Sequence, residues 1–147
     1  MEKSDFVVMR LEADHVTART ALEVSELVSQ LSGSSTRIKR DDLTRMLKAN
    51  FVAAAHAGAG QIIGLACLVI MDLPQGKRAL AESIIVREQY RRQGIGRALL
   101  GALVAEAKRQ HCAHLSLTCN AKRPGAHLFY KQIGFGQADT SVFRLSL

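Results

Sequence analysis

The residues best able to do chemistry are Arg91-Arg92-Gln93-Gly94-Ile95-Gly96-Arg97, a glycine-rich run between a strand-like segment and a long helical repeat. Amide N–H groups at the start of a helix have no intrahelical acceptor and point one way, so they can hold an anion. Glycines at 94 and 96 let a phosphate approach the main chain without meeting a Cβ. Arg91, Arg92 and Arg97 add positive charge around the same place. Two other phosphate loops do not fit. The dinucleotide fingerprint needs a third glycine where Leu99 stands, and a P-loop needs Gly-Lys-Ser/Thr, which is absent. Taken alone, the run is also compatible with a glycine-rich helix start that binds nothing.

The elements that must position this loop follow from hydrophobic spacing. Residues 6–12 read as a first strand, and Asp14 is placed to cap a helix over 15–31. Ala21, Val24, Leu27, Val28 and Leu31 share one face of that helix. A second helix is predicted over 38–49, then a hairpin of strands 51–57 and 61–71 turning at Gly58-Ala59-Gly60. Leu73-Pro74-Gln75-Gly76 is a further turn, leading into strand 78–86. A long helix over 94–110, a strand over 114–119 and a short helix from Pro124 follow, with one or two strands in 134–147. The pattern predicts one domain over 1–147, of α/β (α+β) class. Its mixed central sheet would have six to seven strands flanked by about four helices.

Charge sharpens the reading. Of the net charge of +7, all sits between Arg87 and Lys131, where nine basic residues meet only Glu88 and Glu106. A polyphosphate ligand held by one segment explains that asymmetry better than nucleic acid, because no recognition-helix or stacking-aromatic pattern accompanies it. No apolar run approaches the roughly 20 residues of a membrane span, and the N-terminus does not read as a signal peptide. Cys67, Cys112 and Cys119 lack metal or disulfide spacing and read as reduced thiols of a cytoplasmic protein. No metal site is expected.

The glycine run resembles the start of the central helix in the GNAT family of N-acetyltransferases, whose pattern is Arg/Gln-x-x-Gly-x-Gly/Ala. A second segment, from Asn120 through Ala126, Phe129 and Tyr130 to Gly134-Phe135, resembles the family's Asn-x-x-x-x-x-Ala-x-x-Phe-Tyr-x-x-x-Gly-Phe. The resemblance runs in order along essentially the whole chain. One departure stands out: the proline often found two residues before the Tyr-Arg pair is Glu88 here, ahead of Tyr90-Arg91.

The resemblance implies a donor and a set of roles. Acetyl-CoA would be the acyl donor, its pyrophosphate on the amides of Arg92, Gln93, Gly94, Ile95, Gly96 and Arg97, with Arg91 beside them. Its pantetheine arm would lie along Ile84, Ile85 and Val86, admitted by a splay between the fourth and fifth strands. Asn120 would touch that arm or the neighbouring backbone. Tyr130 matches the family's general acid, and a phenol, protonated at neutral pH, can donate to a departing thiolate. Glu82 is the candidate base, because an ammonium must lose its proton before its nitrogen can attack. The expected reaction is direct transfer in a ternary complex, with no acyl-cysteine on Cys119. The leading acceptor is a primary amine of a small molecule. A protein or peptide amine, or a CoA-binding module without turnover, stand as alternatives, and a homodimer is compatible with the resemblance.

Overall fold

Each boundary between elements has a local cause in the sequence. The computed structural model describes residues 4–147 except Ala121, and the chain divides into two units, Met1–Leu117 and Thr118–Leu147. In the first unit β1 (Phe6–Arg10) is followed by α1 (Ala18–Ser32), α2 (Arg40–Ala49), β2 (Phe51–Ala57), β3 (Ile62–Leu73) and β4 (Gly76–Val86). The helix α3 (Ile95–Arg109) and the short β5 (Leu115–Ser116) complete it. The second unit holds α4 (Pro124–Gln132).

Helix α1 begins later than expected. Thr17, not Asp14, is its cap: Thr17 Oγ1 accepts from the Thr20 amide at 3.2 Å, and Thr20 Oγ1 accepts from the Thr17 amide at 3.1 Å. That reciprocal pair satisfies two orphan donors at once, while Asp14 lies in a 3₁₀ turn, Ala13–His15. At the other end Gly33, at φ 70°, closes the helix through the Ser29 carbonyl.

The sheet order is β1-β2-β3-β4-β5, antiparallel through β4, with β5 parallel to β4. One face packs Val24 and Leu27 of α1 and Leu43 and Leu47 of α2 against Val52, Ala54, Leu65 and Ile85. Strand alternation turns Gly64 to the other face, where α3 buries Ile95, Leu99, Leu100 and Leu103. The approach there is close. A Cβ on Gly64 would lie 3.0 Å from Leu99 Cδ1, 3.2 Å from Ile95 Cγ2 and 3.1 Å from the Ile85 carbonyl oxygen. Glycine in this strand therefore sets how near the first turn of α3 comes to the end of β4.

Two expectations fail at the C-terminal end. The fifth strand is residues 115–116 rather than 114–119, and 134–147 carries no strand. A strand exists only where its amides find a neighbouring ladder. The alternating Phe143, Leu145 and Leu147 find none within the second unit taken by itself. The described sheet thus has five strands, not six to seven, while the mixed α/β class and the four helices stand.

Gly64→Ala is expected to lower unfolding free energy by about 1–3 kcal/mol, since one of the atoms met is backbone and cannot swing away. Urea unfolding checks this; a wild-type midpoint would show that the helix has slack the distances deny.

Candidate functional site

The end of β4 is bent by a bulge. Leu65 pairs with Ile85 but Cys67 pairs with Glu82, so Ser83 and Ile84 together oppose Ala66. Ser83 absorbs the extra residue at φ 52°, a left-handed conformation uncommon for a serine. Beyond the bulge the Arg87 amide donates to the Ile63 carbonyl at 2.8 Å. Alternation then turns Ile85 toward β3, and Ile84 and Val86 toward the opposite edge. On that edge β5 pairs only with Ala79 and Leu80, leaving residues 81–86 without a strand partner in the first unit. The Val86 carbonyl accepts from Gln30 Nε2 at 2.9 Å. No strand of the first unit pairs with Ile84 or Val86 on that edge. Of the three residues expected to offer backbone partners, Ile84 and Val86 are so turned, and Ile85 is paired and buried.

Two residues past Val86, a 3₁₀ turn, Glu88–Tyr90, carries the chain into the glycine run. Arg92 at φ 61° and Gly94 at φ 85° are both left-handed, and Gly94 is the N-cap of α3. Glycine has no side chain with which to cap a helix. The first amide of this helix start to find an acceptor is that of Ala98, which donates to the Gly94 carbonyl at 3.0 Å. Among the described residues of the first unit, none accepts from the amides of residues 92–97. Six consecutive donors, three exposed arginines and the positive end of α3 form an arrangement that could hold a polyanion. Gln93 contributes only its main chain: its side chain is buried and accepts from the Ser4 amide at 2.9 Å.

Glu82 stands exposed on β4, and no cation pairs with it among the described residues. Its cross-strand neighbour is Cys67, whose thiol is pushed up first by burial and then by the Glu82 charge. A solvated carboxylate of this kind is able to receive a proton.

The second unit builds a different device. Asn120 Oδ1 accepts from the Lys122 amide at 2.9 Å, and its carbonyl accepts from the Arg123 amide at 3.0 Å. His127 Nε2 lies 3.1 Å from the same carbonyl. The asparagine thus shapes the turn that launches α4. Past α4, Gly134 at φ 104° lets the chain fold back. The Phe135 amide donates to the Tyr130 carbonyl at 3.0 Å and the Gly134 amide to the Lys131 carbonyl at 3.1 Å. This six-to-one and five-to-two pair is a Schellman closure, and its apolar contact is Phe135 on Tyr130. The rings lie 6.0 Å apart edge to face, with Phe129 5.4 Å away on another side. Burial pushes the Tyr130 phenol above its ordinary pKa, Cys119 adds to the rise, and Arg123 offsets part of it. The group therefore stays a proton donor across neutral pH.

Four positions escaped the sequence reading. Gly64 carried a faint signal, since glycine inside a strand marks a close approach. Ser83, Gln30 and Arg87 carried none, because their roles depend on which residues the fold sets opposite them.

Residues 21–135 match the family described as Acetyltransferase (GNAT) family. A 56-residue stretch is 39% identical to the ribosomal protein bS18 alanine N-acetyltransferase of Escherichia coli (strain K12), and that stretch spans 38% of this chain and 38% of that relative. The fold is similar to a ribosomal-protein-alanine N-acetyltransferase from Brucella melitensis biovar Abortus 2308, with TM-score 0.77, 20% identity, and 97% and 99% of the two chains covered. It is also similar to glucosamine-6-phosphate N-acetyltransferase from Arabidopsis thaliana, with TM-score 0.79, 17% identity, and 96% and 98% covered.

Ultraviolet titration should show Tyr130 ionising above the ordinary value of about 10, identified by the signal missing in Tyr130→Phe. Gly134→Val, which cannot hold φ 104° without strain, should release the ring and bring that ionisation down. No change in Gly134→Val would detach the closure from the burial of the phenol.

Proposed function

The chain belongs to the acetyltransferase (GNAT) family, and from that premise we propose that it is an acetyl-CoA-dependent N-acyltransferase working by direct transfer to an amine. The observation that carries the reading is the row of six amides at residues 92–97, with no acceptor of their own in the first unit. Acetyl-CoA enters as the acyl-donor substrate. Its pyrophosphate is assigned to those amides and to Arg91, Arg92 and Arg97, and its arm to the open groups of Ile84 and Val86. A main-chain donor aimed at a thioester oxygen stabilises the charge that develops there, and the Val86 N–H is given that role. Glu82, directly or through water, takes the proton of the acceptor ammonium, and Tyr130 returns one to the leaving sulfur. No acyl-enzyme is needed, and Cys119 has no part in the transfer.

The leading acceptor remains a primary amine of a small molecule. A protein or peptide amine is the second reading, favoured by one observation: an open cleft of about 840 Å³ along α1, bounded by Ser35, Thr36, Arg37, Ile38, Lys39 and Arg40. The bS18 relative's protein acceptor points the same way. The reading takes the protein to be cytoplasmic. Its three cysteines are free, and among the described residues no helix is long and apolar enough to cross a membrane.

Acetyl-CoA-dependent thiol release across amino acids, polyamines, amino sugars and short peptides tests the assignment, and no release with any acceptor would leave a binding module. Gly94→Asp should weaken CoA binding at least about tenfold by placing a like charge among the amides; aspartate tolerates positive φ, so the fold should survive. Tyr130→Phe should slow single-turnover chemistry by about 10²–10⁴-fold, and an unchanged rate would remove it from the reaction. Glu82→Gln should slow transfer by about 10²–10⁴-fold at neutral pH, and an unchanged rate would hand the proton to another group.

A further inference from the structure

Arg87 joins the strand that offers the Val86 amide to the turn that leads to the glycine run, and α1 grips this junction from both sides. Gln30 spans it. Its Nε2 donates to the Val86 carbonyl at 2.9 Å, and its Oε1 accepts from the Glu88 amide at 3.2 Å. One helical turn earlier, Glu26 accepts from Arg87 Nη2 at 2.7 Å, while Arg87 Nε donates to the Ile62 carbonyl at 2.9 Å. Residues 26 and 30 lie on one face of α1, so a single helix face holds the carbonyl before Arg87, its guanidinium and the amide after it.

We propose that Gln30 is a positioning residue, fixing the Val86 peptide and the onset of the glycine run in one rigid relation. The inference rests on the roles assigned above to the Val86 amide and to the amides of residues 92–97. Two features single out Gln30 rather than general packing. First, its bond occupies the Val86 carbonyl, so the peptide plane that carries the Arg87 amide is held from α1 while that amide is held by Ile63. Second, Glu88 opens a 3₁₀ turn, and Arg87 before it is extended at φ −51°, ψ 137°. Those conditions suit a proline at 88, whose ring would fix the turn covalently and which has no N–H. Glu88 has an N–H and a free φ. The Gln30 carbonyl oxygen binds that N–H and restrains the backbone a ring would otherwise restrain. The departure at Glu88 and the presence of Gln30 are then one arrangement.

A substitution cycle tests this, using full-length wild type, Gln30→Ala, Gln30→Glu and Gln30→Ala with Glu88→Pro. Each is measured for melting temperature, CoA affinity, kcat with acetyl-CoA, and the carbonyl stretch of bound isotope-labelled acetyl-CoA. Gln30→Ala should keep its fold and most of its CoA affinity, but lose about tenfold in kcat and shift the carbonyl stretch toward that of free thioester. Gln30→Glu keeps an acceptor for Glu88 but sets a carboxylate against the Val86 carbonyl, so it should show the same spectral loss and stays informative if the alanine variant unfolds. Glu88→Pro added to Gln30→Ala should recover most of the lost kcat. A wild-type kcat and carbonyl stretch in both Gln30 variants overturns the proposal, as does a double variant no better than Gln30→Ala. Unlabelled wild type that binds no CoA would instead sink the underlying reading together with this one.

Discussion

The first turn of α3 lies so close to β3 that residue 64 has no room for a methyl group, and much else follows from that approach. A helix can offer its N-terminal amides to a ligand only if those amides are uncapped and brought beside the groups holding the rest of the ligand. Gly64 supplies the nearness, and Gly94 the missing cap. The same packing seats Ile95 and Leu99 against the sheet, so the side chains that anchor the helix alternate with the glycine and arginine that stay outside. Apolar burial on one face is what lets the other end of the helix remain unsatisfied.

The strand beside it solves a related problem. Antiparallel pairing would carry β4 straight on, with a neighbour on each edge. The bulge at Ser83 and Ile84 moves the register by one residue, and β5 stops pairing after Leu80. The left-handed serine is strain stored where the main chain has to be presented rather than paired. In the second unit, one glycine beyond α4 turns the chain so that Phe135 closes over the Tyr130 ring. The Gly-Phe pair of the motif is therefore an orientation device for the phenol.

Some of this was legible in the residues and some was not, for physical reasons. Glycine at 94 announces itself because it alone adopts positive φ at no steric cost; the helices α2 and α3 announce themselves through apolar spacing, and α4 through Pro124 at its start. The cap of α1 was misread because Asp14 and Thr17 are both good caps, and only the partner hydroxyl of Thr20 decides between them. Ser83 resembles any strand serine until its cross-strand partners are known. Gln30 looks like a solvated residue on a helix surface, since its two bonds go to backbone 56 and 58 positions away. One or two strands were expected in 134–147 without a neighbour to pair them, and a strand exists only beside one.

The edge of β4 that no described strand of the first unit covers has a consequence for the protein's life between reactions. An exposed run of main-chain donors and acceptors is a template for pairing with another extended chain. Under the proposed function, the arm of an acyl donor laid along that edge would act as a temporary strand. Occupancy would then do two things at once: ready the transfer and conceal a sticky seam. A ligand that binds only the folded state also raises its stability in proportion to the logarithm of its concentration. On that proposal the donor pool would also shield the folded chain, and scarcity of acyl donor would leave it both idle and less protected from its own kind.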